Sequence, residues 1–135
     1  MRRAPLRLDR RGTAAIEFAF TMPLVLLALF AVFEVFRLVQ AQRAVDLAVT
    51  AALRYGAVNS AAGGAADISA VATRTATSLL GSAGAAMTST VSFSPSYAPG
   101  NTLSVSASYA WSPAFLPGQF ATVTLTGSGA ITVQN

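Results

Sequence analysis

Few residues of this chain could perform catalytic chemistry. The sequence has no histidine and no cysteine, and all nine of its basic residues are arginines. Histidine-based catalysis, a thiolate nucleophile, a thiolate or imidazole metal site and a serine–lysine site are therefore excluded. Only five acidic residues are present, and no two of them outside the long apolar region form a catalytic pair. The sequence predicts a protein that is not an enzyme and needs no cofactor or metal.

The remaining chemistry centres on a lone carboxylate in "RRGTAAIEFAF", residues 10–20. Glu17 is the only charged residue between Thr13 and Phe33. A cut after Gly12 would place a new amine on Thr13, four residues before Glu17 and on the same helical face. A charged side chain at mid-membrane costs on the order of 2–4 kcal/mol, and less near the edge. If Glu17 paired with the amine of Thr13 in the same chain or in a neighbouring subunit, the pair would offset this cost. It would also set the register in which the helices assemble.

The basic residues before this stretch form a tail rather than a binding face. Residues 1–12 contain five arginines and one aspartate, which accounts for the whole net charge of +4 because the rest of the chain is balanced. A basic tail directly before an apolar run holds the N-terminus in the cytoplasm. No basic patch follows, so the pattern does not indicate a nucleic-acid partner. The topology-setting residues are Arg2, Arg3, Arg7, Arg10 and Arg11.

A long helix must position the carboxylate. Residues 13–33 are 21 residues with one charge, which is the length of a helix that spans a lipid bilayer. Pro23 removes one hydrogen bond of this helix and predicts a bend. Beyond residue 33 an apolar stripe continues at spacings of three and four, so the helix becomes amphipathic and reaches residue 56, with Gly56 as its C-cap. The stripe consists of Leu38, Ala41, Val45, Val49 and Ala52.

The rest of the chain predicts a small α+β domain. A short helix over 65–80 is closed by Gly81, and "GSAGAA" is predicted to be a loop. Three antiparallel strands are predicted over 90–93, 103–111 and 120–126, with an interruption at 127–129. We expect this sheet to pack on the amphipathic half of the long helix, because three strands bury little by themselves. Trp111 and Tyr109 are expected to serve this packing, and Glu34 and Arg37 to form a solvated ion pair.

The N-terminal pattern resembles the processing site of type IV pilin-like proteins, in which a short basic leader ends in glycine and a glutamate follows after four residues. It resembles more narrowly the TadE-like minor pseudopilins of the tight adherence (Tad) pilus system. The resemblance covers about residues 10–45 and depends on the combination of its elements. The matching residues are Gly12, Ala15, Glu17, Phe18, Ala19, Pro23, Glu34 and Arg37.

The resemblance implies a pilin-like subunit that a prepilin peptidase cuts between Gly12 and Thr13. Glu17 and Phe18 would then serve assembly, and the partners would be other pilins or pseudopilins, Tad assembly proteins and the lipid bilayer. The implied organisation is a leader over 1–12, a long helix over 13–56 and an extracytoplasmic domain over 57–135. The implied location is the bacterial inner membrane, with a single span, or a surface pilus.

Two other interpretations of the same sequence stay open. The chain could be a generic single-pass membrane protein in which Glu17 lies near the headgroups. It could also carry a secretory signal peptide cut near Ala41, because a basic segment, an apolar segment and "VQA" follow one another. Against the signal peptide, the apolar stripe runs straight through the proposed cut.

Overall fold

The computed structural model describes residues 10–59, 64–115 and 122–134, with side chains from residue 12 onward. Helix α1 covers Arg10–Val58 and helix α2 covers Ala65–Leu80. A 3₁₀ helix over Gly81–Ala86 follows, and then strands β1 (Thr88–Ser94), β2 (Thr102–Trp111) and β3 (Val123–Thr132). The strands form one antiparallel sheet in the order β1-β2-β3. The predicted α+β class, a long helix followed by a small domain with a short helix and three strands, is confirmed.

The sheet packs on the second half of α1, as the apolar stripe predicts. Four of the five stripe residues are buried and Leu38 is half-buried. They contact the inward-facing side chains of the sheet, where Leu103, Val105 and Trp111 of β2 are buried. Helix α2 closes the same core through Ile68, which is fully buried. Alternation along β2 sends its serines outward, because successive side chains of a strand point to opposite faces.

The predicted interruption at residues 127–129 is wrong, because β3 runs without a break through both glycines. A Cβ atom on Gly127 would lie 3.0 Å from Oδ1 of Asp46, and one on Gly129 would lie 2.7 Å from Cδ1 of Leu53. The glycines therefore let the strand pass close to α1. Gln42 secures the same contact by donating a hydrogen bond to the carbonyl of Thr126 at 3.1 Å.

The predicted C-cap at Gly56 is also wrong, since α1 continues to Val58. The carbonyls at the true end of α1 accept hydrogen bonds from outside the helix, as helix ends require. The Tyr97 hydroxyl shares its one proton between the carbonyls of Gly56 and of Asn59, which directly follows α1, at 2.8 and 2.9 Å, and the Gln134 N–H donates to the carbonyl of Ala57 at 3.0 Å. Burial raises the pKa of the Tyr97 phenol, and neighbouring Tyr55 acts in the same direction.

Gly56 is instead a packing position, which gives a test of the core. A Cβ atom there would lie 2.4 Å from Cδ2 of Leu103 and 2.9 Å from Cδ1 of Ile68, and both of these side chains are fully buried. Gly56→Val should therefore lower the free energy of unfolding by about 1–3 kcal/mol. Arg54→Val places the same side chain at an exposed position of α1 and should change it by less than about 0.5 kcal/mol. Urea unfolding of both variants in detergent micelles measures the difference, and equal stabilities would contradict the packing.

Other boundaries differ modestly from the prediction. Helix α2 and its closure by Gly81, which has a φ of 65°, agree with it. The predicted loop "GSAGAA" forms the 3₁₀ helix. Residues 120 and 121 of the predicted third strand lie outside the described residues, and the strand begins at Val123. Helix α1 starts at Arg10, so no break in the helix separates Gly12 from Thr13.

Candidate functional site

The residues predicted to be cut and to assemble occupy the first turns of α1. Gly12, Thr13, Glu17 and Phe18 are all exposed, and 64% of the Phe18 surface is accessible. Because this part of the helix packs against no other described element, its side chains are open to an enzyme or to a neighbouring helix. Arg10 and Arg11 belong to the helix, whereas Arg2, Arg3 and Arg7 lie outside the described residues.

Gly12 has no structural task among the described residues. A Cβ atom at this position would meet no heavy atom within 4 Å, and the backbone φ is not in the left-handed region. Glycine is unfavourable inside a helix by about 0.8–1.0 kcal/mol relative to alanine. The fold therefore gives no reason for a glycine here, in contrast to Gly56, Gly127 and Gly129.

Thr13 and Glu17 stand one turn apart on α1, as four-residue spacing requires. Within the part of the chain whose side chains are described, the Glu17 carboxylate has no ion-pair partner. The nearby hydrogen bond from the Thr21 hydroxyl goes to the Glu17 carbonyl at 2.8 Å and leaves the carboxylate unused. The carboxylate is thus available to an amine, but the uncut chain supplies none at Thr13.

The helix around this carboxylate is apolar on all sides. Over its most apolar 18 residues the mean hydropathy is 2.3, none of the window is buried, and by length and composition the helix could span a membrane. Pro23 lies inside the helix without ending it; the bend there stays a prediction. A helix that is apolar all round needs lipid or other helices as its surroundings. The most exposed apolar side chains of this half of the helix are Phe20, Leu24, Val32 and Phe18.

Glu34 forms a second polar site that the sequence interpretation missed. The predicted ion pair with Arg37 forms, but it is not solvated as predicted, because only 4% of the Glu34 surface is exposed. One carboxylate oxygen, Oε2, accepts a hydrogen bond from Arg37 at 3.0 Å. The other, Oε1, accepts the backbone N–H groups of Ala114 and Phe115, 80 residues further along the chain. A single carboxylate therefore ties the segment after β2 to the helix; we call this contact the Glu34 clamp.

Aromatic contacts extend the Glu34 clamp toward the apolar half of α1. The ring of Phe115 stacks on that of Phe30 with 5.6 Å between centroids and 9° between planes. The guanidinium carbon of Arg37 lies 6.0 Å from the centre of the Phe115 ring, at the outer limit of a cation–π contact. The segment after β2 is thus held at the junction of the apolar and amphipathic halves of α1.

One sequence signal could have indicated the buried position of Glu34. The residue lies four positions before Leu38 and seven before Ala41, so it continues the apolar stripe that packs on the domain. An acidic residue on a packed stripe requires hydrogen-bond donors. The donors, however, are backbone groups distant in sequence, which no spacing rule reveals. Among the described residues, no cluster of acidic side chains could hold a metal ion.

Comparison with known families covers the helix that carries the first site. Residues 12–54 match the family model described as TadE-like protein. The match begins at Gly12 and stays within α1, so the TadE-like segment includes Glu17, Pro23 and Glu34. The resemblance to TadE-like proteins is confirmed for these residues. No match was found among curated proteins or among solved structures.

The TadE-like segment supports a coarse assignment. It indicates a Tad pilus-related, pilin-like protein with an apolar N-terminal helix, and this family is generally structural. The described residues include one helix that is long and apolar enough to cross a membrane, which fits a single-pass membrane protein.

The Glu34 clamp of the TadE-like helix can be tested by stability. Glu34→Ala removes the acceptor of three hydrogen bonds to a charged group, each of a kind that contributes about 1.5–3 kcal/mol. We expect the free energy of unfolding to fall by about 2–3 kcal/mol, since the segment can relax toward solvent. Urea unfolding in detergent, followed by the fluorescence of Trp111, measures it. Arg43→Ala, at an exposed position of α1, is the control, and equal midpoints for the two variants would show that the clamp does not contribute.

Proposed function

We propose that this protein is a non-enzymatic pilin-like subunit of a Tad-type adherence pilus or its secretion machinery, processed by a prepilin peptidase after Gly12. The observation that carries the proposal is the exposed constellation at the start of α1. Gly12 fills no packing or backbone need within the part of the chain that the structure describes, and the family match begins at this residue. The free carboxylate of Glu17 lies one turn beyond Thr13, where cleavage would create an amine.

The topology follows from charge. The arginines of residues 1–12 keep the leader in the cytoplasm, residues 13–33 cross the inner membrane over roughly 31 Å, and the domain from residue 57 faces the other side. The lipid bilayer, the peptidase and other pilins or pseudopilins with Tad assembly proteins are the partners. After assembly the subunit stays in the membrane or enters a surface pilus.

The alternative of a signal peptide cut near Ala41 conflicts with the packing. Helix α1 passes Ala41 without a break, and this residue is buried against the domain. A cut there would divide the helix and remove Glu34, which holds the segment after β2. A generic single-pass anchor agrees with the fold but offers no use for the paired positions Gly12 and Glu17.

Mapping the N-terminus of the protein isolated from membranes tests the proposal. Mass spectrometry should show a chain that begins at Thr13. A chain that begins at Met1 would support a generic anchor, and one that begins at Gln42 would support a secretory signal peptide. Either result would overturn the proposed processing.

A further inference from the structure

The Glu34 clamp holds an apolar side chain at the boundary of the membrane-spanning segment. Phe30 lies three residues, about 4.5 Å of helix rise, before the predicted end of the span at Phe33. Phe115 stacks face to face on Phe30, so its ring lies at the same depth. Even in this stack 55% of the Phe115 surface is exposed. If α1 spans a bilayer, the open side of this ring faces the interfacial layer of that bilayer.

The backbone N–H groups beside Phe115 have partners that do not depend on water. Irregular backbone at membrane depth is tolerated only where its polar groups have partners within the protein. The N–H groups of Ala114 and Phe115 both donate to Glu34, and Pro113 has no N–H. Residues 112–115 carry no charge. The segment can therefore lie against acyl chains without leaving these donors unpaired.

Arg37 completes an arrangement that matches the layers of a lipid surface. It lies two turns beyond Phe30 along α1, toward the domain, and 43% of its side chain is exposed although it pairs with Glu34. A long basic side chain at this height can hold its charge among headgroups while its stem covers apolar surface. From the span outward the order is therefore aromatic rings, a buried carboxylate and a cation.

We propose that residues 112–115, with Phe115 at their tip, form a second membrane contact of this protein, resting in the outer interfacial layer of the bilayer that α1 spans. This inference depends on the membrane span in the proposed function. The Glu34 clamp is the positioning device, since it fixes Phe115 against Phe30. The contact fixes the tilt of α1, and of the domain packed on it, relative to the membrane. A single spanning helix without a second contact could tilt in any direction.

Depth measurements on the full chain in vesicles test this contact. The natural sequence has no cysteine, so a nitroxide attached to a single introduced cysteine reports one position. Phe115→Cys is compared with Leu27→Cys, which is exposed within the predicted span, and with Ser106→Cys, which is exposed on the outer face of β2. Each variant is reconstituted at low protein content in vesicles of phosphatidylethanolamine and phosphatidylglycerol. Collisions with oxygen, which enters lipid, and with a water-soluble nickel chelate are measured.

At position 115 we expect oxygen collisions to exceed chelate collisions, as at position 27 and opposite to position 106. A chelate-accessible label at 115 together with a lipid-accessible label at 27 would overturn the second contact and leave the membrane span intact. A label at 115 that neither reagent reaches would show coverage by protein, such as a neighbouring subunit, and would also overturn it. A chelate-accessible label at 27 would instead refute the span itself, and with it the proposed function.

The role of the Glu34 clamp is tested in the Phe115→Cys background. Adding Glu34→Ala should raise the collision rate of the label at 115 with the chelate, because residues 112–115 lose their hydrogen bonds to α1. Adding Glu34→Gln keeps an acceptor oxygen for the two N–H groups and should leave the label in lipid. An unchanged label in the Glu34→Ala variant would show that Glu34 does not position Phe115.

Discussion

Gly12→Arg is expected to leave the chain uncut, with its leader retained in the membrane fraction. The peptidase must accept the residue before the scissile bond. A site adapted to glycine, whose side chain is one hydrogen atom, cannot accommodate an arginine side chain. The fold itself tolerates this change, since the position is exposed and a Cβ atom meets nothing within 4 Å. Immunoblotting and mass spectrometry of membranes should show only the longer chain, beginning at Met1, whereas we expect the natural sequence to give a chain beginning at Thr13.

Gly12→Ala is the matched control for this experiment. It adds one methyl group in open space and favours the helix by up to about 1 kcal/mol. A small residue is retained, so we expect processing to continue, with the same N-terminus. If Gly12→Arg is processed as efficiently as Gly12→Ala, the cut lies elsewhere and the proposed leader is wrong.

Glu17→Gln is expected to abolish or strongly reduce incorporation into the pilus while leaving insertion and cleavage unchanged. The amide is close in shape to the carboxylate but has no charge, so it cannot form an ion pair with the amine of Thr13 in its own or a neighbouring subunit. The side chain contributes nothing to the packing of the domain, because the first turns of α1 touch no other described element. Stability should therefore stay within about 0.5 kcal/mol of the natural protein.

Glu17→Asp is the control that separates the effect of the charge from the effect of the side-chain length. It keeps a carboxylate on a shorter side chain and should retain part of the assembly that Glu17→Gln loses. The measurements are the amount of mature subunit in sheared filaments and the adherence of cells that carry each variant. Normal adherence with Glu17→Gln would refute the pairing, whatever the state of the N-terminus.

The helical parts of this fold could be predicted because they are local. The apolar stripe from Leu38 to Ala52 has the helical period, and its residues do form the face that contacts the sheet. The predictions failed where the role of a residue depends on a partner that is distant in sequence. Gly56 looks like a helix end but accommodates Leu103, and the end of α1 is completed by Tyr97, about 40 residues later.

The same difference between local and distant partners separates the two polar sites, the one at residues 12–17 and the Glu34 clamp. The prediction of a cut between Gly12 and Thr13 and of an assembly role for Glu17 could be made because these residues lie within six positions of one another; it stays a prediction. The burial of Glu34 could not be found, because its donors are backbone groups of a segment that only the antiparallel return of the chain brings to α1. Side-chain patterns say little about such backbone partners.

The absence of any break in α1 between Gly12 and Val58 has a mechanical consequence. The sheet is fixed to the same helix whose first three turns include Glu17, so a rotation of this helix about its axis rotates the sheet with it. Successive residues of an α-helix are turned by about 100°. In an assembly that docks through Glu17, a shift of the docking register by one residue would therefore swing the serine- and threonine-covered outer face of the sheet by about a quarter of a circle. A single charge contact inside the membrane would thus set the rotational orientation of the domain outside the membrane.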